Sequence, residues 1–272
     1  MKPTHNLAIL LATYNGETFL REQLNSLLSQ SYQDWQLFIH DDGSTDNTIS
    51  ILKEYEAKHP RIQVLNYPPT GGACRNFLSL FQRVQASYYM FCDQDDVWLP
   101  DKIERQMQLM HHCEQQFPDL PIIIHSDLQV VDAQLKTIAP SFWQYEHINP
   151  DRYQCWEDFA HGCLTTGCTM LFNQKTKDIT LPIAKTTLMH DEWVTLCTIA
   201  HNGRVIALPE PTILYRQHGT NTLGAQNATY RHSIPYLCSH IKQILQANIA
   251  HYHQMKAIRP ISIFSYIKHK LL

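Results

Sequence analysis

Apolar and polar positions follow two periods along this chain. The run 7–12 is apolar without interruption and stops at Thr13, Tyr14, Asn15 and Gly16. That pattern predicts a strand buried on both faces, ending in a turn. Leu20, Leu24, Leu27 and Leu28 then recur at helical spacing. Residues 35–39 predict a second strand, which breaks into His40, Asp41, Asp42, Gly43, Ser44, Thr45 and Asp46. Ser44 or Asp46 can cap a helix with Ile49, Leu52 and Tyr55 on its inner face. A short third strand covers 62–65, Gly71 and Gly72 punctuate, and Phe77, Leu80, Phe81 and Val84 mark a third helix. Residues 88–92 predict a fourth strand, which delivers Asp93, Gln94, Asp95 and Asp96; Pro100 suits the first turn of a helix running toward Glu114.

Strand and helix therefore alternate through the first half, as in an α/β domain with a largely parallel sheet. In such sheets ligands bind beyond the carboxyl ends of the strands. Thr13, Tyr14 and Asn15, the pair Asp41 and Asp42, and the stretch 93–96 would then share one edge. The second half is less regular. A fifth strand at 122–124 leads into His125, Ser126 and Asp127, and 129–132 with 136–138 predicts a short added ribbon. Residues 166–172 predict another strand. His190, Asp191, Glu192 and Trp193 open a helix with Trp193, Leu196, Cys197 and Ala200 on one face, stopped by Asn202 and Gly203. Short strands at 205–208 and 213–215 lead into Arg216, Gln217, His218 and Gly219. From Tyr230 onward Ile234, Leu237, Ile241, Ile244 and Leu245 keep helical spacing, and Lys256, Arg259, Phe264, Tyr266, Lys268 and Lys270 follow. Two readings stay open for this tail: an amphipathic element on a membrane surface, or a helix packed back on the domain.

The 272 residues are 44% hydrophobic and 17% charged, so a buried core is expected and wholesale disorder is not. A net charge of −3 gives no reason to expect nucleic acid as a partner. The eight cysteines include no Cys-x-x-Cys pair, and Cys92, Cys168 and Cys197 sit in apolar runs. Reduced thiols in a cytoplasmic protein are the expectation; the run 7–12 is too short for a secretion signal or a membrane span. Three carboxylates within the stretch 93–96 repel one another. A divalent cation carrying diphosphate oxygens would offset that repulsion. The alternative is a turn that leaves the acids in water, or an N-cap for the next helix.

Four strings carry a resemblance: Ala12-Thr13-Tyr14-Asn15-Gly16, His40-Asp41-Asp42-Gly43-Ser44-Thr45-Asp46, Asp93-Gln94-Asp95-Asp96-Val97-Trp98 and His190-Asp191-Glu192-Trp193. In this order and at strand ends, they resemble the nucleotide-sugar glycosyltransferases of inverting family 2. The version here, with Tyr215-Arg216-Gln217-His218-Gly219-Thr220-Asn221, is similar to the bacterial rhamnosyltransferase-like branch that builds surface polysaccharides. The resemblance implies a GT-A fold: a Rossmann-like, mixed but mostly parallel sheet flanked by helices, here with a C-terminal helical tail. It implies a transferase domain over 1–225, with a nucleotide-binding half at 1–115 and an acceptor-binding half at 116–225, and a tail at 226–272.

The resemblance also assigns roles. Thr13, Tyr14, Asn15, Asp42, Arg75 and Asp93 would bind the nucleotide. Tyr14 offers a flat face to a pyrimidine, Asp42 accepts the ring N–H of uracil or thymine, Arg75 complements the phosphates, and Asp93 meets the ribose. Asp95 would ligate Mg2+ or Mn2+, with His218 as a second ligand or a phosphate donor. Asp191 would be the general base toward the acceptor hydroxyl. The commonest family form has Glu before that Asp; His190 stands here instead. Asp96 would orient the metal's water shell or cap the next helix. Arg216 would lie over the diphosphate. Trp193, with Phe142, Trp143 and Tyr145, would wall the acceptor or belong to the core. The implied donor is dTDP-L-rhamnose or a UDP-hexose, and the implied acceptor is a lipid-linked oligosaccharide at the inner face of the cytoplasmic membrane. A nucleotidyltransferase would want a Gly-rich basic loop after the first strand, where Thr13-Tyr14-Asn15-Gly16-Glu17 has one glycine and no base. A non-catalytic sugar-binding module stays open beside it.

Overall fold

The computed structural model describes residues 6–150, 156–161, 165–219 and 234–271. Four strands, β1 (Leu7–Thr13), β2 (Trp35–Asp41), β3 (Ile62–Val64) and β4 (Tyr88–Cys92), run parallel in the order β3-β2-β1-β4. Helices α1 (Leu20–Leu28), α2 (Thr48–Lys58) and α3 (Ala73–Arg83) connect them. Leu7 to Leu11 are fully buried because α-helices cover both faces of β1. α2 is rotated from its expected setting. Thr48, Ile51, Leu52 and Tyr55 face inward and Ile49 is exposed. The helix starts at Thr48, whose N–H donates to Asp46 Oδ1 at 3.0 Å, while Ser44 turns to the first loop instead.

Past β4 the chain forms a two-residue strand β5 (Val97–Trp98), which no run length could reveal, and then α4 (Lys102–Gln116). The expected strand 122–124 and the first arm of the expected ribbon are one strand, β6 (Ile122–Val131); β7 (Thr137–Ala139) pairs with its end. Short helices α5 (Phe142–Tyr145) and α6 (Gln174–Thr180) flank β8 (Met170–Asn173), and α7 (His190–Ala200) leads to β9 (Arg204–Arg216). β8 is shorter than the run 166–172, because Gly167–Thr169 make a 3-10 turn. It lies antiparallel between β4 and β6, which makes the sheet mixed. β9 also joins two expected strands into one. Its register against β6 shifts around Asp127, which pairs with Pro211. Proline has no N–H for the ladder, so a bulge absorbs it.

Two apolar layers pack on the two faces of the sheet. A third cluster joins Trp156, Phe159 and Leu196 to Met255, Ile261 and Tyr266 of the tail, which forms α8 (Ile234–Ile258) and α9 (Ile263–Leu271). The inner face of the tail thus packs back on the domain. Among the described residues no helix is long and apolar enough to cross a membrane.

Candidate active site

β1 and β2 end in register, so Thr13 and Asp41 are neighbours, and Thr13 Oγ1 donates to Asp41 Oδ2 at 2.8 Å. Asp41 also accepts from the Ser44 N–H at 2.8 Å and the Ser44 hydroxyl at 2.6 Å, which closes the turn after β2. Asn15 takes a left-handed conformation (φ 48). Its Oδ1 accepts from Thr45 N at 2.8 Å, and its own N–H donates to Ser44 Oγ at 2.8 Å. Thr13 and Asn15 therefore build the two loops into one platform. Tyr14 stands on that platform with 57% of its surface exposed, open to a flat ring.

Asp42 is engaged by the loop before α3. Its carboxylate accepts from Thr70 N, from Thr70 Oγ1 at 2.9 Å and from Gly72 N at 2.6 Å. Burial would raise its pKa, but the N–H donors of Gly72, Thr70 and Gly71 outweigh that and hold it below the ordinary carboxylate value. Gly71 and Gly72 have φ of 82° and 126°, so this wrap needs glycine. Arg75 is exposed in the first turn of α3, and its guanidinium lies beside Gly71.

The acidic loop is tied to the platform by Gln94, which the sequence pattern did not single out. Its Oε1 accepts from Tyr14 N at 2.9 Å and its Nε2 donates to Tyr14 O at 3.0 Å. The partners are 80 residues apart. Asp95 meets His218, with Oδ2 and Nε2 2.9 Å apart. Asp93, Asp96 and Cys168 form a tighter group, with possible ligand atoms all within 4.8 Å of one another. Asp96 is fully buried and accepts from Arg216 N at 3.0 Å, but its Oδ2 has no hydrogen-bond partner. It does not cap α4, whose N-cap is Asp101. An orphaned carboxylate oxygen beside a second carboxylate is a donor set that suits a hard divalent cation, with Asp95 and His218 adjoining. Burial, then Asp95 and Asp191, push Asp93 up to about 7, and burial with Asp95 and Asp93 pushes Asp96 well up.

These shifts have a thermodynamic sign. Without metal the folded protein binds protons at Asp93 and Asp96 that the unfolded chain releases. The contribution of Asp93 is complete below the unfolded carboxylate pKa of about 4 and is lost as pH rises through about 7, and that of Asp96 has the same sign. Thermal melts of metal-free protein should show Tm falling between about pH 5 and pH 7.5, with Mn2+ restoring it at the upper pH and having little effect at the lower. A metal-free Tm that climbs over this interval would contradict the assignment.

Asp191 lies in the first turn of α7. Its Oδ2 accepts from Gly167 N at 3.0 Å and its Oδ1 from Glu192 N at 2.8 Å. Its charge acts on Asp93 and on Cys74 of α3, whose thiol is pushed up to about 11 by burial and then by Asp191. The antiparallel course of β8 brings Gly167 to the edge where β1, β2 and β4 end. A Cβ on Gly167 would stand 2.7 Å from the His190 ring, so only glycine lets the turn approach α7 this closely. His190 is a buried, stacked slab: its ring lies 4.2 Å from Phe77 and edge-on to Phe91, and burial lowers its pKa, keeping it neutral.

Two expected site residues are placed elsewhere. Trp193 does not wall an open cleft: it is buried, and its Nε1 donates to Thr180 O at 3.1 Å. Arg216 does not lie over an open diphosphate site, because the end of β9 carries it inside. Its guanidinium donates to Asp95 O at 2.8 Å, Ala133 O at 2.6 Å and the Glu22 carboxylate, and stacks over Phe19 at 4.4 Å. Trp143 is likewise buried. Asp127, buried midway along β6, accepts from Phe142 N and Trp143 N at 3.1 Å and sets the position of α5.

A parallel half-sheet whose carboxyl edge holds an exposed aromatic, an acidic loop and a carboxylate at a helix start is the frame of a nucleotide-sugar transferase. The chain belongs to glycosyl transferase family 2, whose description matches residues 8–180. It is 29% identical over 79% of its length to the Shigella flexneri "dTDP-rhamnosyl transferase RfbG", covering 74% of that protein. It is 28% identical to a Bacillus subtilis "putative teichuronic acid biosynthesis glycosyltransferase TuaG", over 70% of this chain and 71% of that one. Among solved structures it is similar to the Pyrobaculum calidifontis mannosyltransferase PcManGT in complex with GDP-Man and Mn2+, with TM-score 0.58 and 15% identity over 98% of this chain and 75% of that one. S. aureus TarS in complex with UDP-GlcNAc aligns with TM-score 0.57 and 15% identity over 93% and 71%. The fold is GT-A.

Proposed function

We propose that this chain transfers a sugar, with inversion, from a nucleoside diphosphate donor to a hydroxyl of a growing surface polysaccharide. The favoured donor is dTDP-L-rhamnose, in line with the name of the RfbG relative. A UDP-hexose is the second reading, favoured by the name of a 28% identical Escherichia coli relative, "UDP-Glc:alpha-D-GlcNAc-diphosphoundecaprenol beta-1,3-glucosyltransferase WfgD". That name also supports a lipid-linked acceptor, which would place the enzyme on the cytoplasmic side of the inner membrane. The observation that carries the reading is the meeting of Asp93, Asp96 and Asp191 at one sheet edge, below the exposed Tyr14.

In this reading residues 1–115 bind the nucleotide, 116–225 shape the acceptor side and 226–272 form the tail. Tyr14 stacks on the base and Arg75 meets the phosphates. Asp42, already holding the Thr70–Gly72 loop, presents the base with a fixed rim. Asp95, with Asp93, Asp96 and His218 around it, would hold Mg2+ or Mn2+, which supplies charge neutralisation for the departing diphosphate. Asp191, held by the N–H of Gly167, takes the proton of the acceptor hydroxyl. Inversion needs one such base and no covalent intermediate. A donor screen tests this: each of dTDP-rhamnose, UDP-glucose, UDP-galactose, UDP-GlcNAc and GDP-mannose is incubated with a mixed lipid-linked acceptor pool and Mn2+. Consumption of dTDP-rhamnose is expected. Consumption of a UDP-sugar alone selects the second reading, and consumption of none overturns both.

A further inference from the structure

Acidic residues stop at Glu210. Of the 22 lysines and arginines seven lie beyond it, against none of the 25 aspartates and glutamates. A chain with a net negative charge therefore ends in a stretch of positive charge alone. That stretch forms α8 and α9, and the two faces of these helices differ.

The inner face is seated by specific bonds. Gln254 donates to Glu192 at 2.6 Å and accepts from Leu188 N at 2.6 Å. His251 meets the Tyr266 hydroxyl at 3.0 Å, and Met255, Ile261 and Tyr266 are buried. The tail is thereby fixed to α7, the helix with Asp191 in its first turn. The outer side of α8 carries an apolar stripe beside exposed Lys242, Gln243 and Gln246. Ile241, Leu245 and Ile249 form a stripe at helical spacing, 61%, 57% and 57% exposed; Ile263, Phe264 and Ile267 follow on α9, with Phe264 84% exposed. Six of the ten exposed large hydrophobic residues among the described residues lie on these two helices. Lys242 and Lys268, both exposed, stand beside them.

A second copy of the chain is a poor occupant for this face, since two patches carrying cations and no acids repel each other. A lipid surface with anionic headgroups matches both properties at once. Apolar side chains enter the boundary of the acyl region, and lysines stay at the phosphates. We propose that α8 and α9 together are a docking surface for an anionic lipid bilayer. The proposal deepens the lipid-linked acceptor reading above and rests on it for its purpose: the seat on α7 ties the docked tail to the helix of the catalytic carboxylate.

The test is flotation of the full chain with vesicles of phosphatidylcholine, with and without phosphatidylglycerol. Binding is expected with phosphatidylglycerol and weak without it, and about 0.5 M salt should loosen it. Phe264→Ser with Ile267→Ser should weaken partitioning at least about tenfold, as expected when two large apolar side chains leave the acyl boundary. Lys242→Glu with Lys268→Glu should abolish the preference for anionic vesicles; these exposed positions provide a second, fold-neutral variant. Equal partitioning of both variants and the native chain, or no binding at all, would overturn the proposal. So would a dimer seen by light scattering that the Phe264 variant dissociates, which would assign the face to a second copy. Calorimetric binding of dTDP and UDP reports separately on the nucleotide site. Vesicle binding without donor turnover would sink the transferase reading and leave the docking surface standing.

Discussion

Asp191→Asn should retain nucleotide binding and lose about 10²–10⁴-fold in sugar transfer, the usual contribution of a positioned general base. The variant is a sharp one because of how Asp191 is held. One oxygen accepts from Gly167 N and the other from Glu192 N. Asparagine keeps the shape and can keep one of these acceptor bonds, so α7 and the Gly167 turn stay in place. What it loses is the ability to take a proton. The platform around Tyr14 is held by Thr13, Asn15, Ser44 and Gln94 and not by that charge. Single-turnover transfer and calorimetric dTDP titration, run on the same preparation, check the two halves of the expectation. Native turnover in Asp191→Asn would remove Asp191 from the role of base, and lost nucleotide binding would make it part of the donor site instead.

The second large effect is expected at Asp95. Asp95→Ala should weaken metal-dependent nucleotide binding at least about 100-fold, since even groups that only orient a metal ligand are worth 10–100-fold. The pairing with His218 at 2.9 Å makes the expectation specific. Removing the carboxylate takes one partner from the imidazole but leaves Asp93, Asp96 and the Arg216 contact to the Asp95 carbonyl intact. The loop should therefore keep its course, and binding measured in chelator should change little. Calorimetry with and without Mn2+ makes the comparison. Equal nucleotide affinity of the native chain in Mn2+ and in chelator would count against the whole metal assignment.

Much of this molecule can be read along the chain, and the parts that cannot have a common cause. The strand at 88–92 and the buried core of β1 follow from uninterrupted apolar runs, because both faces of those strands are covered. The parallel half follows from the alternation of such runs with helical spacing. β5 is two residues long and exists only because β9 lies beside it. β9 itself reads as two strands, since the prolines at 209 and 211 interrupt a pattern that a bulge then rejoins. The acidic loop announces itself by composition. Its supports do not: Gln94 reaches Tyr14 across 80 residues, and Arg216 reaches Glu22 across 194. Arg216 and Trp193 look like site residues because their neighbours in sequence are, yet strand and helix geometry turn both inward. A residue's neighbours in the chain place it near a site; only the third dimension says which way it faces.

The anchoring of the acidic loop has a consequence for how the enzyme comes into being. Residues 93–99 are held on one side by Tyr14, just past the first strand, and on the other by the last strand. Leu99 N donates to Thr212 O, β5 pairs with Ile213 and Leu214, and Arg216 binds Asp95 and Asp96. During synthesis on a ribosome, every carboxylate of the loop is made long before this second support emerges. The acidic loop is complete only with β9 in place beside β6, and the last residue of β9 reaches Asp96 from 120 positions further along the chain.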